Sequence, residues 1–323
     1  MKQSRYDSSI HKGTQPIRVL NGNILNWFEN AEKDFLDTLK DEVTYNALQN
    51  GIGYINSETK VKEVAYVDDK KQITIQETFL SYLWTISYGL VVMFDEVIMR
   101  PRIENGYIQT LADIERVKKA QELFDYGLNL LKEYKEWNKD LLPNPEFYDQ
   151  SENDYIEKIN AVYLAAVNFV LVHEFAHVTL GHIDLDNERA KKGEMTSKEE
   201  IKEGEYAADN YSFQTLISGA NFIANQSTVR MGIIAGLCSL LFFNNSLDGD
   251  DHPDTDERIK VILEKLNPDE TDNLWGVASL ALKLWSNHYK IDLKLPAIVD
   301  TYKDLFYIIL DRLSTYGHRN GSL

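Results

Sequence analysis

The stretch NFVLVHEFAHVTLGHI, residues 168–183, sets His173, Glu174 and His177 into one of the most apolar segments of the chain. On an α-helix, positions four apart lie about 40° apart around the axis, so the two imidazoles project from one face and can share a metal ion. Glu174 lies beside them. In this HExxH spacing the imidazoles ligate zinc and the glutamate acts as general base toward a zinc-activated water. Chance is the rival explanation, since roughly one chain in a hundred of this length would contain the pattern at ordinary His and Glu frequencies. The surroundings favour the metal. Two imidazoles and a carboxylate set beside AAVNFVLV cost several kcal/mol unless they are partnered, and a metal is the partner that would satisfy all three.

A catalytic zinc site needs a third protein ligand and an open position for water. Downstream, KEEIKEGEYAADNYSF supplies Glu205 and Asp209 at helical spacing, with Ala207 and Ala208 between them small enough for close approach to a neighbouring helix. Helix phase groups Glu205, Ala208, Asp209 and Ser212 on one side. Glu205 is therefore the expected third ligand, and Asp209 the acceptor for the free ring N–H of a ligating histidine. The competing reading is a solvated acidic face, which Glu199, Glu200 and Glu203 already provide. His182 falls about 140° round a continuing helix from His177 and is expected to cap or fray the helix end. His11, His288 and His318 have no partner in sequence, and Tyr206, Tyr211 and Phe213 are expected mainly to pack in the core.

HEFAH followed by EYAAD resembles the gluzincin metallopeptidases, whose HExxH helix is completed by a glutamate in an ExxxD or ExxAD helix. The later HPDTDERI is similar to the HPxxxxR element of the HtpX and CAAX-prenyl-protease group. That likeness implies that His252 assists the substrate oxyanion and that Arg258 supports the glutamate ligand. Those membrane enzymes carry spanning helices. Over residues 168–260 the chain resembles most the phage-exclusion Lit-type peptidase family, a soluble bacterial group with similar motifs.

The resemblance implies a gluzincin-like fold and an endopeptidase whose Zn2+ is held by His173, His177 and Glu205. Zinc there lowers the pKa of a bound water from about 16 toward 7; Glu174 takes the proton and delivers it to the departing amine. The implied substrate is a host protein of the translation machinery, cut in response to a phage-derived trigger. Two alternatives stand beside this reading: a regulatory metallopeptidase like the shorter ImmA/IrrE repressor-cleaving enzymes, which HEFAHVTLGH also resembles, and a non-catalytic, metal-stabilised interaction or immunity protein. The intact Glu174 argues against the second, because a structural zinc has no use for a base and is usually closed by four Cys and His ligands.

The elements that must position these residues belong to an ordinary globular chain of 323 residues, 43% hydrophobic and 26% charged. A formal charge of −17 repels phosphate backbones, so a nucleic-acid partner is not expected. The single cysteine, Cys238, forbids an internal disulfide framework and fits a reducing cytosol; the N-terminus has no signal-peptide core, so the expected location is cytoplasmic. Three apolar runs, 82–94, 161–172 and 231–243, are each about a dozen residues where a membrane span needs roughly 20, so buried core helices are expected and membrane insertion is not.

The expected class is mainly α with a small β element. One amphipathic helix is expected over NILNWFENAEKDFLDTLKDEV, then a β-hairpin near 60–76 from KVKEVAYV and QITIQ about the turn DDKK. A helix from Phe79 to Met99 should stop near Pro101, and another should fill 110–138. Punctuation at 143–145 suggests a division into a helical N-terminal region, 1–150, and a catalytic region, 151–323, with one continuous unit as the alternative. The HExxH helix should run from Tyr155 to about Gly181, followed by a mobile polar loop at 184–204 and helices at 199–219, 229–243, 254–266, 272–289 and 297–314.

Overall fold

The apolar run around HExxH becomes α6 (Asn153–Thr179), which is buried on nearly every side from Ile156 to Val178. A helix without a polar face has to sit in the middle of a fold. In this computed structural model, which describes residues 2–56, 58–103, 108–245 and 253–315, α6 is packed by α1 (Asn21–Glu29), α3 (Glu77–Met93), α8 (Lys198–Ser218) and α10 (Gln226–Leu240). His252 lies outside the described residues. The closest approach is to α10: a Cβ added at Gly232 would lie 2.4 Å from Ala165 Cβ and 2.6 Å from the Val162 carbonyl oxygen. The two backbones therefore touch where no side chain fits.

The architecture is mainly α, with small sheets. The expected hairpin forms between β3 (Tyr66–Val67) and β4 (Ile73–Gln76), with Val67 paired to Ile73. Only two residues of KVKEVAYV join it. A third strand, β2 (Gly53–Ile55), pairs parallel to β4 and was not foreseen, being too short to carry a period-two signal. A separate antiparallel pair joins β1 (Gln3–Ser4) to β5 (Phe147–Tyr148).

Several expectations need correction. The first amphipathic helix is two, α1 and α2 (Phe35–Tyr45), broken at a turn in which Asp34 takes a left-handed conformation, φ 64°. That turn brings Phe28 and Phe35 edge-on to Phe175 of α6, centroids 6.5 and 5.1 Å away. The next helix is described as far as Ile103, two residues past Pro101 and close to the expected stop, but it is not regular throughout. The chain passes from α3 into a π turn, Phe94–Met99, and on into α4 (Arg100–Ile103), so the proline falls where the hydrogen-bond ladder is already changing register. Inside that wide turn Glu96 is fully buried and held by Arg100, Arg116 and the Tyr155 hydroxyl. The helix expected over 110–138 is shorter, α5 (Leu111–Leu130), and opens with a Thr110–Asp113 capping box. The supposed loop at 184–204 is mostly helix: α7 (His182–Lys192), a link at 193–197, then α8.

The three apolar runs also extend further than their hydrophobic centres. Glu77–Arg102, Asn153–Thr179 and Gln226–Phe243 are long and apolar enough, by length and composition, to cross a membrane. Their apolar windows are 78%, 89% and 61% buried within the fold, where the three pack on one another. After α10 come α11 (Thr255–Leu266), α12 (Asn273–His288) and α13 (Tyr302–Thr315), with the short α9 (Ala220–Ala224) before it. One hydrophobic cluster runs from Ile17 to Leu313, uniting side chains from both sides of residue 150.

Candidate metal centre

Helix α6 delivers His173 and His177 to its C-terminal end, and α8 lies against it with Glu205 facing them. The ligand atoms of the three residues all lie within 4.8 Å of one another. His173 Nε2 is 3.2 Å from His177 Nε2, and the Glu205 oxygens are 3.3 Å from the first and 3.4 Å from the second. Zinc bonds of 2.0–2.1 Å set at the tetrahedral angle put ligand atoms about 3.3–3.4 Å apart. The histidine pair has close to that spacing, Glu205 brings a different oxygen to each imidazole, and two imidazoles with one carboxylate are a donor set that zinc accepts in hydrolytic sites.

Helix phase explains why α8 presents these groups. Glu205, Ala208, Asp209 and Ser212 are all buried, whereas Glu199, Glu200, Glu203 and also Ala207 are exposed, so of the two alanines only Ala208 serves the close approach. Ser212 donates to the Phe169 carbonyl at 2.7 Å, which pins α8 to α6 one turn beyond the site. A Ser197–Glu200 capping box starts α8, and Arg189 of α7 forks onto Glu200.

Around these three lies an ordered set of supports. Asp209 Oδ1 is 2.9 Å from His173 Nδ1, leaving Nε2 to face Glu205. Arg258, from α11, donates to both oxygens of Asp209 at 2.7 Å. The expectation that Arg258 supports the glutamate ligand is corrected in this respect: its paired bonds go to Asp209, and Glu205 feels its charge. Burial would raise the Asp209 carboxyl, but the Arg258 charge and the bonds from His173 and Arg258 hold it down at about 2. Burial disfavours charge on His173, yet the bonds and fields of Asp209 and Glu205 prevail and raise it to about 10. For His177 burial and the neighbouring His173 charge act together, lowering it to about 4.

Glu174 sits one residue from His173. Burial pushes its carboxyl up to about 7, against the charge of His173 and with that of Glu205, while the Val67 backbone favours the ionised form. That influence is invisible in the sequence, because it comes from the backbone of a strand more than a hundred residues away. His182 does not lie on a continuation of α6 but opens α7. Its Nδ1 lies 3.0 Å from His177 Nδ1, because α6 stops at Thr179 and Gly181, at φ 76°, turns the chain back toward the site. Helical phase beyond Thr179 no longer applies, and Gly181 was the signal for that.

Residues 73–278 match the family described as Peptidase U49. The chain belongs to this family of peptidases. The match begins at β4, runs through the whole cluster from His173 to Arg258, and ends in α12. No curated protein and no solved structure matches the chain. As a peptidase it acts on protein or peptide substrates by hydrolysis.

Proposed function

We propose that this peptidase is a zinc-dependent endopeptidase with an active site on the HExxH helix. The observation that carries the reading is the convergence of His173, His177 and Glu205, whose ligand atoms lie within 4.8 Å of one another with the two imidazole nitrogens 3.2 Å apart, beside the carboxylate of Glu174. A metal held by these three would supply a Lewis acid that polarises the substrate carbonyl and acidifies a water molecule to near-neutral pKa. Glu174, one residue from His173, would take a proton from that water and return it to the departing amine. Asp209 keeps the Nδ1 proton of His173 engaged so that Nε2 faces the ligand cluster, and Arg258 keeps Asp209 ionised. From the Lit-type resemblance we further propose a cytoplasmic protease of phage defence, cutting a host translation protein after a phage-derived trigger, with His252 steadying the oxyanion.

The test is to measure zinc stoichiometry and new protein N-termini in cells expressing wild type, His173→Ala, His177→Ala or Glu174→Gln. The histidine variants should lose zinc and cleavage together, while Glu174→Gln keeps zinc and loses cleavage. Undiminished cleavage by Glu174→Gln would overturn the mechanism.

A further inference from the structure

We propose that His182 is a positioning residue, which fixes the ring orientation and tautomer of the metal-ligating His177 by accepting a hydrogen bond from its Nδ1–H. The inference rests on the metallopeptidase reading above. His177 turns Nε2 toward His173 and Glu205, and for that nitrogen to offer a lone pair the proton must sit on Nδ1. A ligating imidazole holds its orientation when that second N–H finds an acceptor. For His173 the acceptor is Asp209; the group 3.0 Å from His177 Nδ1 is His182 Nδ1. Two imidazole nitrogens at this distance share one proton, so His182 accepts and carries its own proton on Nε2.

Three features of the fold hold His182 in this place. Gly181 turns the chain at the end of α6 so that α7 begins with His182 facing back. On the other side the ring rests against Gly204 of α8, where an added Cβ would already stand 3.4 Å from Cε1. Two residues along α7, Asp184 takes Lys71 from the hairpin turn at 2.7 Å, and Lys71 also donates to the Asn46 carbonyl at 2.8 Å. The first turn of α7 is thereby clamped to the hairpin, which also packs on α6. The two ligating histidines are supported unequally, one by a carboxylate and the other by a neutral ring.

The test compares wild type, His182→Ala and His182→Gln, measuring zinc affinity by competition with a chromophoric chelator and the visible spectrum of the cobalt-loaded protein. His182→Ala should bind zinc about 10 to 100-fold more weakly and shift the cobalt bands. His182→Gln, whose amide oxygen can accept from Nδ1–H, should recover most of that loss. Unchanged affinity in His182→Ala overturns the proposal, and so does failure of the glutamine to rescue, which would make the ring a filler. Complete loss of stoichiometric zinc in His182→Ala also overturns it, since that marks a ligand. If the variants do not fold, long-range 1H–15N spectra of zinc-loaded wild type decide: His177 must carry its proton on Nδ1 and His182 on Nε2, and any other pair of tautomers rejects the assignment. A wild type that takes up no metal overturns the metallopeptidase reading and this inference with it, whereas a metal-binding wild type with an indifferent His182→Ala overturns this inference alone.

Discussion

Exchanging Asp209 for asparagine alters one atom, yet the surroundings make it severe. The Asp209 carboxylate faces donors from both sides: Oδ1 meets His173 Nδ1 and Arg258 Nη2, and Oδ2 meets Arg258 Nε. An amide must set its NH2 against one side or the other, so every orientation puts donor against donor. The variant also leaves the Arg258 guanidinium, only 8% exposed, without its counter-charge. Breaking a buried ion pair from one side costs about 3–5 kcal/mol, a large part of a total stability of about 5–15 kcal/mol. Losing the acceptor for His173 should weaken zinc by about 10 to 100-fold, equivalent to about 1.4–2.8 kcal/mol. Denaturant unfolding of the metal-free protein and competitive zinc titration separate the two losses. The double variant Asp209→Leu/Arg258→Met, which removes both charges, should regain much of the stability but none of the zinc affinity. An asparagine variant matching wild type in both assays, or a double variant that binds zinc normally, refutes the reasoning.

Further outcomes follow from other parts of the structure. Glu205→Ala should abolish stoichiometric zinc while Glu203→Ala, on the exposed face of α8, leaves it intact; zinc analysis showing the reverse would mean that the wrong carboxylate is assigned. Glu146 is held by Arg18 at 2.8 Å and Lys139 at 2.7 Å, and although burial opposes it, these bonds lower its pKa below the ordinary carboxylate value. The stabilisation is complete above that ordinary value and disappears as pH falls through the lowered one. Glu146→Gln should therefore unfold more easily than wild type by about 1–3 kcal/mol at pH 7, with the gap closing in acid; a gap independent of pH contradicts this. Gly232→Val should destabilise by about 1–3 kcal/mol or more, because its side chain would press on the α6 backbone; an unchanged melting midpoint would show that the helices can part freely.

What could be read from the sequence was whatever depends on local spacing. His173, Glu174 and His177 are related by one turn of helix, and Glu205 by the phase of another, so periodicity alone brought them onto the correct faces. The mainly α class and the hairpin followed from the same kind of signal. Legibility ended where the chain leaves a regular element. His182 was judged as if α6 continued past Thr179, and Gly181 sends it the other way. The break at Asp34 and the π turn at Phe94–Met99 are likewise local departures imposed by packing, one to reach Phe175 and the other to house Glu96. Arg258 was assigned from resemblance to support a ligand; which carboxylate it grips depends on how α11 lies against α8, and no spacing encodes that.

The three candidate ligands do not share one fate when the protein breathes. His173 and His177 belong to a deeply enclosed stretch of α6, whose amides should exchange with solvent only on global unfolding. Glu205 is carried on α8 just after two turns that face solvent along much of their length, beyond a link at 193–197 with few buried side chains. Fraying from that end can swing the carboxylate away while the histidine pair stays in place. Metal would then enter and leave by a local opening, with the histidines as the waiting half of the site and residence time governed by the stability of the start of α8 and not by that of the whole fold.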